Sequence, residues 1–138
     1  MLKRISVMCL LVLCICANVC NAETWQYIAK ENNTKYYYDS DNIIHWKPTY
    51  IEEYNQTLVT ISADIKEEET YSKIKKDMAF SLILVNGDVV DIKFQKKKIY
   101  LWNYKENKWV DTKEYNEKWY PAKGIIENIA LHLYHTYY

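Results

Sequence analysis

The sequence predicts an α+β domain, a twisted antiparallel β-sheet of about five to six strands with a C-terminal helix packed on one face. Residues 58–66 alternate apolar and polar side chains, as a strand with one buried face does. The Asn-Gly pair at 86–87 lies between two apolar runs and is typical of a tight hairpin turn. Near the C-terminus, apolar residues recur every four positions at Ile125, Ile129 and Leu133, which indicates a helix with one apolar face.

The first part of the domain is rich in tyrosine and tryptophan, which favour strands. We predict strands at residues 24–30, 35–39, 43–46 and 58–66. Polar Asn, Asp, Ser and Thr clusters separate the first three, because these side chains bond their own local backbone in turns. Residues 47–56 contain Pro48 and are predicted as a loop.

The second part contains the most secure tertiary prediction, a hairpin over residues 78–95. Residues 67–77 are strongly charged and are interpreted as a loop or as one or two turns of helix. Further strands are predicted at 98–104 and 109–110, followed by a polar loop at 111–118. The closing helix is predicted from about residue 124 to residue 137, just after Pro121.

The first 22 residues have the layout of a secretory signal peptide. Lys3 and Arg4 precede an apolar run at residues 5–19, which is short for a membrane span. Small or uncharged residues then precede a cleavage site between Ala22 and Glu23. All four cysteines lie in this segment. We therefore predict a single exported domain at residues 23–138, without disulfides and with no membrane span after signal removal, in the periplasm, on the cell surface or outside the cell.

The charge of the predicted mature chain argues against nucleic-acid binding. Two of the 18 basic residues, Lys3 and Arg4, precede residue 23, whereas all 18 acidic residues follow it, so residues 23–138 carry a net charge of −2. Arginine, the side chain best suited to phosphates and base edges, is absent after Arg4. Dedicated nucleic-acid binders carry a strong basic excess, so we predict no nucleic-acid partner.

Short motifs at both ends of the domain resemble the surface-adhesin protein E-like family of small exported bacterial proteins. They are Trp25, the Lys-Tyr-Tyr-Tyr-Asp-Ser-Asp-Asn-Ile segment at 35–43, and the Trp-Tyr-Pro segment at 119–121 before the helix. The resemblance implies an α+β fold, a bacterial source and an adhesin-like role at the cell surface. The chain departs from the family pattern because residues 23–138 contain no cysteine.

The run Tyr36-Tyr37-Tyr38-Asp39 is the sharpest local feature. Its functional interpretation is an aromatic platform, with Tyr36, Tyr38 and Asp39 contacting a sugar or a protein partner. The structural alternative is a strand whose alternate tyrosines fill the core while Asp39 orders the following turn. The structural alternative is favoured, because alternate positions of a strand share one face.

Tyr100, Trp102 and Tyr104 form a second aromatic set, on one side of the predicted strand 98–104. If exposed, this ladder can stack on sugar rings or anchor a protein partner, since Trp and Tyr dominate binding hot spots. If buried, it is the surface that the C-terminal helix covers. The need of the helix for an apolar surface favours burial.

Chemistry-bearing motifs are sparse. His132 and His135 lie three residues apart on the predicted helix and His45 comes from a distant segment, so a metal would lack its remaining ligands. No serine lies in a glycine-flanked nucleophile elbow. We therefore predict no metal, no cofactor and no enzymatic activity, while a small hydrolase with an unrecognised site stays as the third hypothesis.

The remaining feature is a lysine cluster, Lys93 and Lys96–Lys98, placed about a predicted turn. It can meet anionic polysaccharide or phospholipid headgroups, or it can serve as a solvated turn that blunts a sheet edge. The leading hypothesis is a non-enzymatic exported binding protein, adhesin-like, for a protein or polysaccharide of the cell surface or host matrix. The alternative is a periplasmic inhibitor or accessory protein of an envelope enzyme or complex. Homodimer formation is left open.

Overall fold

The computed structural model describes residues 23–138, so the predicted signal peptide and its cleavage site at Ala22 lie outside the described residues. Within this range the chain forms nine strands and one α-helix. The strands are β1 (Trp25–Glu31), β2 (Thr34–Asp39), β3 (Ile44–His45), β4 (Thr49–Ile51), β5 (Gln56–Glu68), β6 (Lys73–Val85), β7 (Asp88–Asn103), β8 (Lys108–Tyr115) and β9 (Tyr120–Pro121), and the helix is α1 (Ile125–Tyr137).

All nine strands belong to one antiparallel sheet, and α1 follows the last strand at the C-terminus of the chain. The main order is β1-β2-β5-β6-β7-β8, while β3 and β4 pair with β5 and β9 pairs with β7. The α+β class, the antiparallel sheet and the C-terminal helix are confirmed. The strand number was wrong, since the described residues form nine strands rather than five or six. The short strands β4 and β9 account for most of the excess.

Two predicted loops contain strands. Residues 47–56 contain β4 and a 3₁₀ turn at Glu52–Tyr54, and 111–118 contain the second half of β8. The pairing explains both cases. In β4, Thr49–Ile51 adds to the start of β5 beyond the end of β2, and β8 pairs along β7 as far as Tyr115. Polar composition does not prevent a strand where a neighbouring strand supplies the hydrogen-bond ladder.

In the charged segment 67–77 only residues 69–72 form a turn, because β5 runs to Glu68 and β6 begins at Lys73. Cross-strand ion pairs accommodate its charges. Lys76 Nζ lies 2.5 Å from Glu67, on the neighbouring strand. Opposite charges on paired strands stabilise a sheet, so residues that favour loops by composition extend both strands here.

The predicted hairpin over residues 78–95 is confirmed. Val85 pairs with Asp88, and the two turn residues Asn86 and Gly87 have φ values of 53° and 83°. Positive φ at both central residues is the geometry of a type I′ turn, whose twist matches that of the flanking strands. A β-carbon at Gly87 would meet no atom within 4 Å, so backbone conformation rather than space favours glycine there.

A β-bulge at Lys97 replaces the turn that was predicted there. Strand β7 is continuous over 16 residues, and Met78 pairs with Lys96 while the preceding Asp77 pairs with Lys98, so Lys97 is the extra residue. One additional residue reverses the alternation of faces along the strand. Ile92, Phe94 and Lys96, just before the bulge, therefore lie on the helix side, and the even-numbered residues after it lie on the opposite side.

The core lies between α1 and one face of the sheet. Ile129, Ala130 and Leu133 of the helix are fully buried, which confirms that the helix covers an apolar face. The strands contribute a larger set of buried residues, namely Tyr38, Val59, Ile61, Ala63, Ile65, Met78, Phe80, Leu82, Leu84 and Ile92. Within residues 23–138, no helix is long and apolar enough to cross a membrane.

Deleting Lys97 tests the role of the bulge. Removal would turn Tyr100 and Trp102 toward the helix side or break the pairing of β7 with its neighbours. We expect the free energy of unfolding to fall by more than about 3 kcal/mol, whereas Lys97→Ala, which keeps the extra residue, changes it by only about 0.5 kcal/mol. Urea unfolding followed by tryptophan fluorescence measures both. A deletion variant as stable as its parent would contradict the assignment.

Candidate binding site

The sheet face opposite the helix carries an aromatic–lysine cluster. Alternation along each strand brings its members to this face, and all of them are half-buried or buried. The members are Trp25, Tyr37, Lys66, Lys75, Tyr100, Trp102 and Trp109.

Lys66 lies between two rings of this cluster. Its Nζ is 4.9 Å from the centre of the Trp25 ring and 4.3 Å from that of Tyr37, and it forms a 3.1 Å ion pair with Glu68. Lys66 is itself buried. A desolvated ammonium over aromatic faces gains about 2 kcal/mol, which helps to offset its loss of hydration.

Lys75 has the same arrangement on the neighbouring strand. Its Nζ lies 4.9 Å from the Tyr100 ring centre and 5.0 Å from that of Trp109, and 2.9 Å from Glu23 Oε1. Trp109 Nε1 donates a 3.0 Å hydrogen bond to Glu23 Oε2. Glu23 therefore accepts from both Lys75 and Trp109, and it connects the start of the described chain to β8.

The cluster shows that the sheet is strongly curled. Trp25 and Trp109 belong to β1 and β8, the two outer strands of the main order, yet their ring centres are only 6.5 Å apart. Strands in a flat sheet are spaced about 4.8 Å, which would separate the outer strands by roughly 24 Å. The face opposite the helix is therefore concave, and its outer strands approach each other through their tryptophans.

The aromatic ladder lies in this concave face and not under the helix, so its interpretation as helix-covered core was wrong. The bulge at Lys97 is the cause, because it turns Tyr100 and Trp102 away from the helix. Trp102 packs edge-on against Trp109, with ring centres 5.1 Å apart. Tyr104 lies just beyond the end of β7 and is 51% exposed.

Three turns meet at one end of the sheet. Strands β1, β5 and β7 run in the same direction, since each neighbour in the main order is antiparallel. The turns at 32–33, 69–72 and 104–107 therefore lie at the same end. A 2.9 Å hydrogen bond from Thr34 Oγ1 to Glu69 Oε1 joins the first turn to the second. These two turns are therefore connected, and the turn at 104–107 lies at the same end of the sheet.

Two exposed tyrosines lie at this end of the sheet. Ile74 pairs with Leu101, and the same register continued three residues beyond this pair would bring Tyr71, in the 69–72 turn, level with Tyr104. Tyr71 is 90% exposed. An exposed large aromatic side chain at a turn contributes little to the core, so these two tyrosines are free to contact a partner.

Lys73 joins Tyr104 to the concave face. Its Nζ lies 5.6 Å from the Trp102 ring centre and 5.9 Å from that of Tyr104. We name Tyr71, Lys73, Trp102 and Tyr104 the loop-end cluster. It combines exposed tyrosine and half-buried tryptophan, two residue types enriched where proteins bind partners, with one lysine.

Two tyrosines of the β2 run, Tyr36 and Tyr38, pack into or against the hydrophobic core. Tyr38 lies in the core against His132 and Tyr137. Tyr36 packs at the edge of the core, and burial, with smaller effects from neighbouring glutamates, raises the pKa of its hydroxyl. The structure thus places Tyr36 and Tyr38 as the core interpretation predicted.

Asp39 is fully buried and orders the turn that follows β2. Its carboxylate accepts hydrogen bonds from the backbone N–H groups of Asp41, at 3.0 Å, and Thr24, at 3.3 Å. The Asn42 side-chain amide donates a further bond at 2.6 Å. These bonds hold the entry to β1 against the end of β2, and they occupy both carboxylate oxygens.

The three histidines have separate aromatic neighbours. His132 packs against Tyr38. The ring centres of His45 and Tyr137 are 5.3 Å apart, and those of His135 and Tyr134 are 5.2 Å apart. Among residues 23–138, no group of three or more His, Cys, Asp or Glu side chains is arranged to hold a metal ion. Burial, followed by contact with Tyr38, raises the pKa of Tyr137 to about 12, so this ring stays protonated at physiological pH.

A pair of carboxylates lies in the concave face beside the aromatic–lysine cluster. Asp64 and Asp77 are direct cross-strand partners. Burial and the charge of Asp77 raise the pKa of Asp64 from 3.8 to about 6, Lys75 lowers it, and Asp39 and Glu23 raise it slightly. With a pKa of about 6, Asp64 is mostly ionised at neutral pH, where it faces the like charge of Asp77 at a cost in stability.

No protein-family model, curated protein or solved structure matches this chain. The functional interpretation therefore depends on the geometry of the chain itself. That geometry shows a cluster that sequence reasoning missed, because Glu23, Lys66, Lys75 and Trp109 meet only through strand register. Tyr71 was missed too, since it lay in a segment interpreted as a loop or helix.

The Asp64 carboxyl predicts a specific dependence of stability on pH. An acid whose pKa is raised by folding binds its proton more tightly in the folded state, so its contribution to stability increases as pH falls from about 7 through 6 toward 4. We expect Asp64→Asn to melt higher than its parent at pH 7.5, with the difference shrinking toward pH 4.5. Thermal unfolding across this range measures it.

The matched control for this prediction is Asp88→Asn, the same substitution at an exposed aspartate of the hairpin. Asp77→Asn removes the opposing charge and should also raise the melting temperature at pH 7.5. An Asp64→Asn variant that melts below its parent at pH 7.5 would contradict the assignment.

Proposed function

We propose that this protein is a non-enzymatic, exported binding protein of the cell envelope or cell surface, adhesin-like, that contacts its partner through the loop-end cluster. The observation that carries the proposal is the exposure of Tyr71 and Tyr104 on the end of a paired sheet. Large aromatic side chains held on a rigid support lose little conformational entropy on binding.

Strand pairing and hydrogen bonds within the turns hold the backbone beneath these tyrosines rigidly. Strands β5, β6 and β7 are paired up to the turns, and the bond from Thr34 to Glu69 joins two of the turns. Asn103 Oδ1 accepts hydrogen bonds from the backbone N–H groups of Lys105 and Glu106 in the third turn. The cluster is therefore preorganised before any partner arrives.

The chemistry of the cluster suits a protein or a polysaccharide of the cell surface or host matrix. Tyrosine and tryptophan rings stack on apolar surfaces and keep polar atoms at their tips. Lys73 adds one positive charge, and its cross-strand partner Glu68 adds one negative charge. The surface is thus aromatic with little net charge, which favours a neutral or mixed-charge partner over a polyanion.

The test compares two double variants of the purified domain, residues 23–138. Tyr71→Ala with Tyr104→Ala removes the loop-end tyrosines, whereas Tyr50→Ala with Tyr54→Ala removes two tyrosines that are 59% and 65% exposed near the start of β5. We expect saturable retention of the parent on immobilised envelope fractions or matrix, at least about tenfold weaker retention of the first variant, and unchanged retention of the second.

Equal retention of both variants would contradict the assignment of the loop-end cluster, and no saturable retention of the parent would contradict the binding function. Circular dichroism of each variant checks that loss of retention does not come from unfolding.

The second candidate function is a periplasmic inhibitor or accessory protein of an envelope enzyme or complex. Tyr71 favours it, because a single protruding ring at the tip of the β5–β6 hairpin has the shape of a group that fills a cleft. Protease treatment of intact cells separates the two candidates. Digestion alongside an intact periplasmic marker supports the surface role, and protection until the outer layer is opened supports the periplasmic one.

A further inference from the structure

A second surface feature lies away from the loop-end cluster, along the middle of β7. Strand β8 ends at Tyr115 and β9 pairs with only two residues of β7, which leaves an opening beside the strand. The opening is a cavity of about 420 Å³, within the size range of small-ligand sites. Its lining consists of Phe94, Lys96, Asn116, Tyr120, Pro121 and Lys123.

Two aromatic rings form one wall of this cavity. Phe94 and Tyr120 are direct cross-strand partners, with ring centres 5.9 Å apart and planes inclined at 37°. The Asn116 side-chain amide donates a 3.0 Å hydrogen bond to the Tyr120 hydroxyl. The Tyr120 ring is therefore fixed at both its backbone and its tip, while part of its face stays exposed.

The loop that closes the cavity is held in place as well. Gln95 Nε2 donates a hydrogen bond to the Glu117 carbonyl, and the Lys118 N–H donates to Asn116 Oδ1 at 2.9 Å. On the other side, the Ala122 N–H donates to the Ile92 carbonyl at 2.9 Å. These bonds tie both ends of the 116–122 segment to β7 or to itself, so the cavity does not depend on a ligand for its shape.

The charge of the cavity is positive in an otherwise slightly acidic domain. Lys96 and Lys123 line it, and none of the lining residues is acidic. Within residues 23–138, neither lysine takes part in an ion pair. Two ammonium groups that form no ion pair within this range, beside a partly apolar wall, favour an anion over a neutral ligand.

We propose that this cavity binds a carboxylated sugar ring. The Tyr120 and Phe94 rings would stack on the apolar face of the sugar, and Lys96 and Lys123 would pair with its carboxylate. The Asn116 amide and the Tyr120 hydroxyl offer the polar contacts that a ring of hydroxyl groups needs. The proposal is independent of the proposed function, because the site shares no residue with the loop-end cluster.

Titration of ¹⁵N-labelled protein with glucuronate tests the proposal. We expect saturable shifts of backbone amide signals centred on Phe94, Asn116 and Lys123, with Kd on the order of 1 mM for a single ring. The methyl ester of glucuronic acid keeps the ring but loses the charge, and should bind about tenfold more weakly. Equal binding of the ester, or no saturable shifts with glucuronate, would overturn the proposal.

Two lysine variants and one control locate the site. Lys96→Gln and Lys123→Gln should each weaken glucuronate binding by about fivefold or more. Lys93→Gln removes an exposed lysine of the same strand that does not line the cavity, and should leave binding unchanged. Equal weakening by all three variants would mean general charge attraction and overturn the site.

Benzoate distinguishes a sugar acid from an aromatic acid. It carries the same carboxylate on a flat ring without hydroxyl groups, so it should bind more weakly than glucuronate if Asn116 and the Tyr120 hydroxyl contact the sugar. Tighter binding of benzoate at the same amide signals would assign the cavity to aromatic carboxylates and overturn the sugar proposal.

Discussion

The bulge at Lys97 is the constraint on which both faces of this sheet depend. Before it, β7 places Ile92 and Phe94 toward the helix; after it, the same strand places Tyr100 and Trp102 in the concave face. Without the extra residue, all four side chains would lie on the helix side, and the concave face would lack Tyr100 and Trp102. Bulges also increase local twist, which is consistent with the curl that brings the outer strands together.

The two faces are stabilised by different physics. On the helix side, aliphatic residues pack around Ile129 and Leu133, and the gain comes from removing apolar area from water. On the concave side, no helix formed by residues 23–138 covers the strands. Rings of Trp25 and Trp109 cover the face instead, and Lys66 and Lys75 fill the space between rings with their long aliphatic stems while each ammonium meets a carboxylate. The sheet thus covers its second face with side chains from its own strands.

Sequence reasoning predicted the elements whose signals are local. The Asn-Gly turn and the four-residue spacing of the helix are read within a few positions, and both are confirmed. The bulge leaves no comparable signal, because Lys97 stands among other lysines and no change in composition marks it. The charged start of β6 was missed for a related reason: Lys76 pairs its charge with Glu67, a diagonal neighbour on β5 that only the strand register brings close. For the candidate site, Trp102 and Tyr104 were identified, but their face depended on the bulge.

The concave cluster is an unsuitable place for a ligand, despite having the largest concentration of rings. Its ammonium groups are already held by Glu23 and Glu68, and the faces of its rings are already occupied by those ammonium groups. A ligand would have to replace contacts that the fold needs. Outside this cluster, aromatic groups are available at the turn that carries Tyr71 and beside β7, where β9 pairs with only two of its residues. Binding at those two places would cost the fold none of the contacts that close the sheet.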